Sequence, residues 1–277
     1  MKRILTILLV TASSTLLAQK IAITLDDLPF GYSAGFTDDQ KIEAFEKILK
    51  VLKKHKVEAT CFVTSANMSE ATKVILDKTL AAGHQLGNHT NNHFDLNQVS
   101  AEKYIADIDS CQQLSGSWIN TNYFRYAMLH RGNTKSKRDS VYAYLQEKGL
   151  LIAPVTIDNN EWVYNRGYSL AMKIGDKKNM DRLGKEYIYH MKEVTARYQK
   201  ISLQLTERDI PQILLLHSNP INGDYLDKLL TWYKKEGWEF ITLDEALQDE
   251  FYSIKDDYVG PYGFSQLDRI KRSRANR

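Results

Sequence analysis

Unbroken apolar runs alternate along this chain with stretches whose apolar residues recur every three to four positions. IAITL (21–25) reads as a buried strand, and 38–55 after it as a helix with one apolar face. The pair recurs as VEATCFV (57–63) before a helix over 69–82, HQLGN (84–88) before one over 101–115, and NYFR (122–125) before one over 135–147. LLIAPVT (150–156) is a fifth strand. A long charged helix over 177–207 precedes QILLLH (212–217), and a helix over 224–235 separates that strand from EFITL (239–243). Short apolar runs alternating with amphipathic helices predict an α/β fold, a parallel sheet with its helices outside. About seven such units suit an α/β barrel better than an open sheet.

Strand polarity adds to this. In a barrel of this kind the chemistry gathers at the C-terminal ends of the strands. Asp26 and Asp27 follow the first strand, and His89 and His93 the third. Arg125 ends the fourth, Asp158 follows the fifth, and His217 ends the sixth. Side chains far apart in sequence are thus predicted to meet at one mouth.

Composition excludes some functions. An apolar content of 43% with 26% charged residues is that of a globular protein, and a formal charge of +3 is too small for a nucleic-acid-binding surface. Residues 1–18, MKRILTILLVTASSTLLA, run basic, then apolar, then small, as an export signal does. Cleavage after Ala18 takes Lys2 and Arg3 from 37 basic residues, leaving 35 against 34 acidic ones. The mature chain is then nearly neutral, placed in the periplasm or outside the cell, and not an integral membrane protein. Its core is expected over 19–249, with a tail over 250–277 packing on or extending from the barrel. Cys61 sits in an apolar strand run and Cys111 on a helix, so two buried free thiols are expected rather than a disulfide.

The chemistry is read residue by residue. Adjacent carboxylates at a strand end are expected to diverge, one toward a cation and one toward substrate. His89 and His93 share a face if a helical turn begins at His89, and two imidazoles with a carboxylate leave a divalent metal an open position. Zinc suits that donor set best, with cobalt, nickel or manganese as alternatives. His55, His84 and His190 are given structural roles. Arg125 is either an ion-pair partner or the group that orients a carboxylate base. His217, emerging from an apolar strand, suits a general acid.

In these residues the chain resembles the polysaccharide deacetylase family, the NodB-homology carbohydrate esterases. TLDD (24–27), HTNNH (89–93), FRYAM (124–128), DNNEW (158–162) and LLLH (214–217) are similar to its five motifs, in its order. The resemblance implies a deformed (β/α) barrel of about seven parallel strands with outer helices, and a metal-dependent hydrolase that removes N-acetyl groups from an amino-sugar glycan. It implies Asp26 as base, Asp27, His89 and His93 as metal ligands, His217 as acid and Arg125 as the residue orienting the base. Asp158, Glu161 and Trp162 fall in the motif that supports the acid and walls the pocket. Tyr126 and Met128 fall where substrate and oxyanion contacts are made, the latter through the Met128 N–H. The chain departs from the pattern at Ala127, where the family usually has Pro, at Met128, where it usually has an aromatic, and at Glu161, which stands for the commoner Asp. If Ala127 keeps a proline-like backbone, Ala127→Pro is expected to be tolerated. Competing readings are an O-acetyl (xylan-type) esterase on the same residues, a cyclic-amide hydrolase, and a non-catalytic glycan-binding protein.

Overall fold

The computed structural model describes residues 18–31 and 35–275. All but the last residue of the proposed export signal lies outside them. Chain order is β1 (Lys20–Leu28), α1 (Asp38–His55), β2 (Thr60–Val63), α2 (Lys73–Ala81), β3 (Gln85–Asn88), α3 (Ala101–Ser115), β4 (Tyr123–Phe124) and α4 (Lys135–Glu147). Next come β5 (Leu151–Ile152), α5 (Glu161–Lys173), α6 (Lys177–Thr206), β6 (Gln212–His217), α7 (Pro220–Lys235), β7 (Glu239–Ile241), α8 (Leu243–Leu247) and α9 (Gln266–Ala275).

Every strand pairing is parallel, in the order β5-β4-β3-β2-β1-β6. β7 pairs with the first residues of β1. The sheet curls until the chain beyond β5 meets β6. Ile157 bridges Leu214, and the Thr156 and Ile157 N–H groups both donate to the Ile213 carbonyl at 3.0 Å. Closure rests on this short contact, so the barrel is deformed, as expected.

Period-2 alternation sorts β1 between two cores. Ile21, Ile23 and Leu25 pack outward with Phe45, Ile48 and Leu52 of α1 and Leu226 and Leu229 of α7. Ala22 points inward with Phe62, Tyr123 and Ile213, above Leu243 and Ala246 of α8. α1 starts on a capping box between Thr37 and Gln40 and stops at Lys56, whose φ of 56° is left-handed.

Several elements differ from their predicted form, and α8 and α9 were not predicted. The fifth strand shrinks to two residues, because Pro154 has no N–H to give a ladder. α7 starts at Pro220, not 224, with Asn219 accepting the Asn222 N–H at 3.1 Å. α5 was not foreseen. Cys61 and Cys111 are buried free thiols, as expected, with the Cys111 thiol donating to the Val63 carbonyl.

Candidate active site

β1 and β6 run in register with Asp26 opposite His217, which fixes two of the reactive residues side by side. β1 keeps its alternation as far as Asp26. The register to β2 then shifts between Leu25 and Leu28, and Asp27 adopts φ 66°. This overturns the expectation that adjacent carboxylates diverge. The left-handed residue turns Asp27 back, so His89 Nε2 lies 3.6 Å from Asp26 Oδ2 and 3.7 Å from Asp27 Oδ1. Gly31 permits this, since a Cβ there would come within 2.9 Å of the Asp27 side chain.

His89 and His93 also meet differently from the predicted way. No helical turn begins at His89. Thr90 (φ 68°) and His93 (φ 54°) are left-handed instead, and the bend brings the imidazole centroids to 4.9 Å. Asp107 of α3 holds the bend by accepting the Asn92 backbone and side-chain N–H groups at 2.9 and 2.6 Å. Left-handed non-glycine residues are costly, and they persist where surrounding contacts enforce them. Of the seven among the described residues, five (Asp27, Thr90, His93, Met128 and Leu129) lie at or beside this site, while Lys56 and Glu207 end helices.

Asp27 Oδ1, His89 Nε2 and His93 Nε2 fit a divalent cation. His93 Nε2 stands 3.5 Å from Asp27 Oδ1. Spacings of 3.5–3.7 Å are long for hydrogen bonds but close to the edge of a tetrahedron with bonds of about 2.0–2.1 Å. His89 Nδ1–H donates to the Arg125 carbonyl at 2.8 Å, which leaves Nε2 as the lone-pair donor. Burial, opposed by Asp26, holds the His89 pKa at about 4, so the ring is neutral and able to ligate at neutral pH. Burial alone would raise the Asp27 carboxyl. His93, His217 and His89 outweigh it and hold that pKa below the ordinary value.

Arg125 is buried against the Phe62 ring, its Nη1 3.4 Å from both Asp26 oxygens and its Nη2 donating to Thr24 Oγ1 at 3.1 Å. Asp26 Oδ1 is buried without a hydrogen-bond partner. On the other flank His217 Nδ1–H donates to Glu161 Oε2 at 2.7 Å. Glu161 is the first residue of α5 and fully buried, and its other oxygen accepts from the side-chain amides of Asn219 and Asn222. Burial pulls the His217 pKa down, but the Glu161 carboxylate, with Asp27 and Asp26, raises it to about 9. Asp158 lines the same cavity, and burial raises its pKa to about 6. His217 takes Glu161 as its carboxylate partner, not Asp158.

These groups open on one cavity of about 650 Å³, with Met128 and Trp162 in its wall. Tyr126 does not line it. Its ring is buried, stacked on Tyr104 and edge-on to Phe124, which corrects the expected substrate contact. Ala127 also differs from expectation. Its N–H donates to the buried Tyr104 hydroxyl at 3.1 Å. Ala127→Pro deletes that donor, so it should cost about 1–3 kcal/mol in thermal denaturation instead of being tolerated. An unchanged Tm would contradict this.

Several site residues were not singled out from sequence. Asn159 orients the start of α5, accepting the Glu161 N–H at 3.0 Å and donating to the Leu215 carbonyl at 2.7 Å. His130, Tyr262 and Phe264 also line the cavity. The DNNEW and SNPING stretches carried the asparagine signal. The turn chemistry of DDYVGPYGF (256–264) pointed to packing over one end of the barrel, but not to Tyr262 and Phe264 as cavity residues.

The family model described as polysaccharide deacetylase matches residues 14–148. That match contains β1 with its aspartates, the His89–His93 bend and Arg125. Over those residues the chain resembles the polysaccharide deacetylase family. It is 26% identical over 229 residues to the peptidoglycan-N-acetylmuramic acid deacetylase PdaA of Bacillus subtilis, covering 82% of this chain and 71% of that protein. The fold is shared with a chitin deacetylase from Colletotrichum lindemuthianum, at a TM-score of 0.58 and 20% identity, over 84% of this chain and 91% of that one. It is shared equally with a carbohydrate esterase family 4 pseudoenzyme from Bacillus anthracis, at 0.56 and 17% identity, over 84% and 66%. A partial family match with a shared fold therefore leaves activity to be argued from this chain's own residues.

Proposed function

We propose that this chain is a metal-dependent hydrolase that removes N-acetyl groups from an amino-sugar glycan. One observation carries the reading: a carboxylate–imidazole triad stands between an arginine-held aspartate and a carboxylate-held histidine in a single cavity. The resemblance to a named peptidoglycan-N-acetylmuramic acid deacetylase points to the amide rather than the ester. Residues 1–18 as an export signal put the enzyme outside the cytoplasm, where such a glycan is met. Among the described residues no helix is long and apolar enough to cross a membrane.

A divalent ion, zinc by the donor set, held by Asp27, His89 and His93 supplies Lewis acidity and lowers the pKa of water at the site. The protein's own groups do the rest. Asp26 accepts the proton of the attacking water through Oδ2, the oxygen 3.6 Å from His89 Nε2 and so the nearer to the triad. Arg125 fixes that carboxylate in place. The Met128 N–H, which has no acceptor among the described residues, is the donor for the developing oxyanion, presented by a left-handed backbone at φ 54°. His217, its Nδ1 tied to Glu161, delivers a proton from Nε2 to the departing amine. Trp162 walls the acyl side.

Acetate release from N-acetylated oligosaccharides and from acetylated xylan, each with and without chelator, tests the reading. Chelator-sensitive release from the amides is expected. Release confined to xylan would make the chain an ester hydrolase, and release from neither would leave a binding protein.

Glu161→Gln gives a pH test. Glu161 raises the His217 pKa, so its neutralisation lowers it. The acid then loses its proton at lower pH, and the basic limb of kcat should move to lower pH. An unmoved limb would detach Glu161 from the acid.

A further inference from the structure

The C-terminal segment 254–265 belongs neither to the family match over 14–148 nor to any of the five motifs, yet it builds part of the cavity wall. Tyr262 is 63% exposed there, alongside Trp162 at 54% and Met128 at 50%. Three large apolar side chains left in water around one cavity call for an occupant.

Tyr262 is exposed without being loose. The Pro261 carbonyl before it accepts the Asn97 side-chain N–H at 2.9 Å. Gly263 after it presses on the strained turn, where a Cβ would come within 2.0 Å of the Met128 carbonyl oxygen and 3.0 Å of His130 Cδ2. The Tyr262 ring leans on Phe264 at 5.7 Å, and Phe264 is covered by the Arg272 guanidinium at 4.1 Å. Farther back, Asp256 holds Arg131 and Arg269. An aromatic face held this way loses little freedom when a ligand seats on it.

Beside it, His130 repeats the geometry of His217. Its Nδ1–H donates to Asp95 Oδ1 at 2.6 Å, while its Nε2 has no partner among the described residues. The Asp95–His130 pair has no part in the proposed reaction. A pyranose ring has an apolar face of C–H groups and an edge of hydroxyls, and this wall offers a partner for each. The cavity, about 650 Å³, falls within the roughly 300–1,000 Å³ that takes ligands larger than one sugar ring.

We propose that Tyr262 and His130 form a second sugar subsite, which binds the ring next to the one being deacetylated. Tyr262 stacks on that ring's C–H face and His130 Nε2 bonds one of its hydroxyls. The C-terminal segment thereby sets a preference for oligomers over single sugars. This inference rests on the proposed deacetylase function and deepens it.

The test pairs kinetics with binding. kcat/KM for acetate release is measured on N-acetylglucosamine and on its tetramer, for the wild type, Tyr262→Ala, Tyr262→Phe and His130→Ala. The Kd of the fully deacetylated tetramer is measured by calorimetry on the same proteins. Tyr262→Ala should lower the tetramer-to-monomer ratio of kcat/KM about tenfold, the size of one lost aromatic contact, and weaken tetramer binding to match. Tyr262→Phe keeps the ring and should restore both. His130→Ala should lower both with an unchanged Tm. A wild-type ratio and Kd in Tyr262→Ala and His130→Ala, or a wild type that binds no tetramer, would overturn the subsite. A wild type that binds tetramer through Tyr262 but releases no acetate would overturn the deacetylase function and leave the subsite standing.

Discussion

His89→Ala and His93→Ala should each strip the bound divalent ion and the acetate release together, in a protein that still folds. Asp27, His89 and His93 bring one donor atom each, mutually within 4.8 Å. Losing either imidazole leaves two donors, too few to retain a catalytic ion. The loss should exceed the roughly 10–100-fold that removal of a mere supporting partner costs. His93 is the cleaner probe of the two. It is partly exposed and its ring makes no hydrogen bond, so alanine opens no large cavity. His89 is buried against Phe62 and bonds the Arg125 carbonyl, so part of its effect falls on the fold. Metal content by atomic emission, beside circular dichroism, separates the two. A His93→Ala protein that keeps one ion per chain would mean the imidazole is not a ligand.

Asp26→Asn and His217→Ala should each lower amide hydrolysis by roughly 10²–10⁴, the range for a lost proton-transfer group, while metal stays bound. Neither side chain belongs to the triad. Asp26 lies one residue from a ligand but is held by Arg125, and His217 is held by Glu161. The two defects should differ in kind. Asn has nearly the size of Asp without its basicity, so Asp26→Asn should harm every substrate that needs water activated. His217→Ala should harm amides most, because an amine leaves only when protonated. An aryl acetate expels an aryloxide that departs unprotonated, so it should be hydrolysed nearly as before. Equal losses on both substrates would remove His217 from the acid role.

What could be read from the sequence depended on where regular structure ends. α1, α3 and α4 fall within their predicted limits because their caps and apolar spacing agree. α5 was missed because its pattern is inverted. Glu161, Asn165 and Ser169 are buried, while Trp162, Val163 and Leu170 are exposed. The buried polar face belongs to the His217 support, and Trp162 faces the cavity. Local rules fail where a site takes over a helix face. At the strand ends, residue types and spacing identified the aspartates and the histidine pair. Their convergence depends on left-handed backbone at Asp27, Thr90 and His93, which Asp and His adopt more readily than most residues but which β-branched Thr90 gives no sign of. The turn chemistry around Tyr262 suggested packing over the barrel end, but its place in the cavity is set by packing with residues far away in the chain.

One titration bears most directly on the central claim. Protein stripped with chelator is reconstituted with zinc, and bound ion and acetate release from an N-acetylglucosamine oligomer are followed in the same samples. The two should rise together and saturate at one ion per chain. Acetate release at full rate without bound ion, or a saturated site with no release, would contradict it.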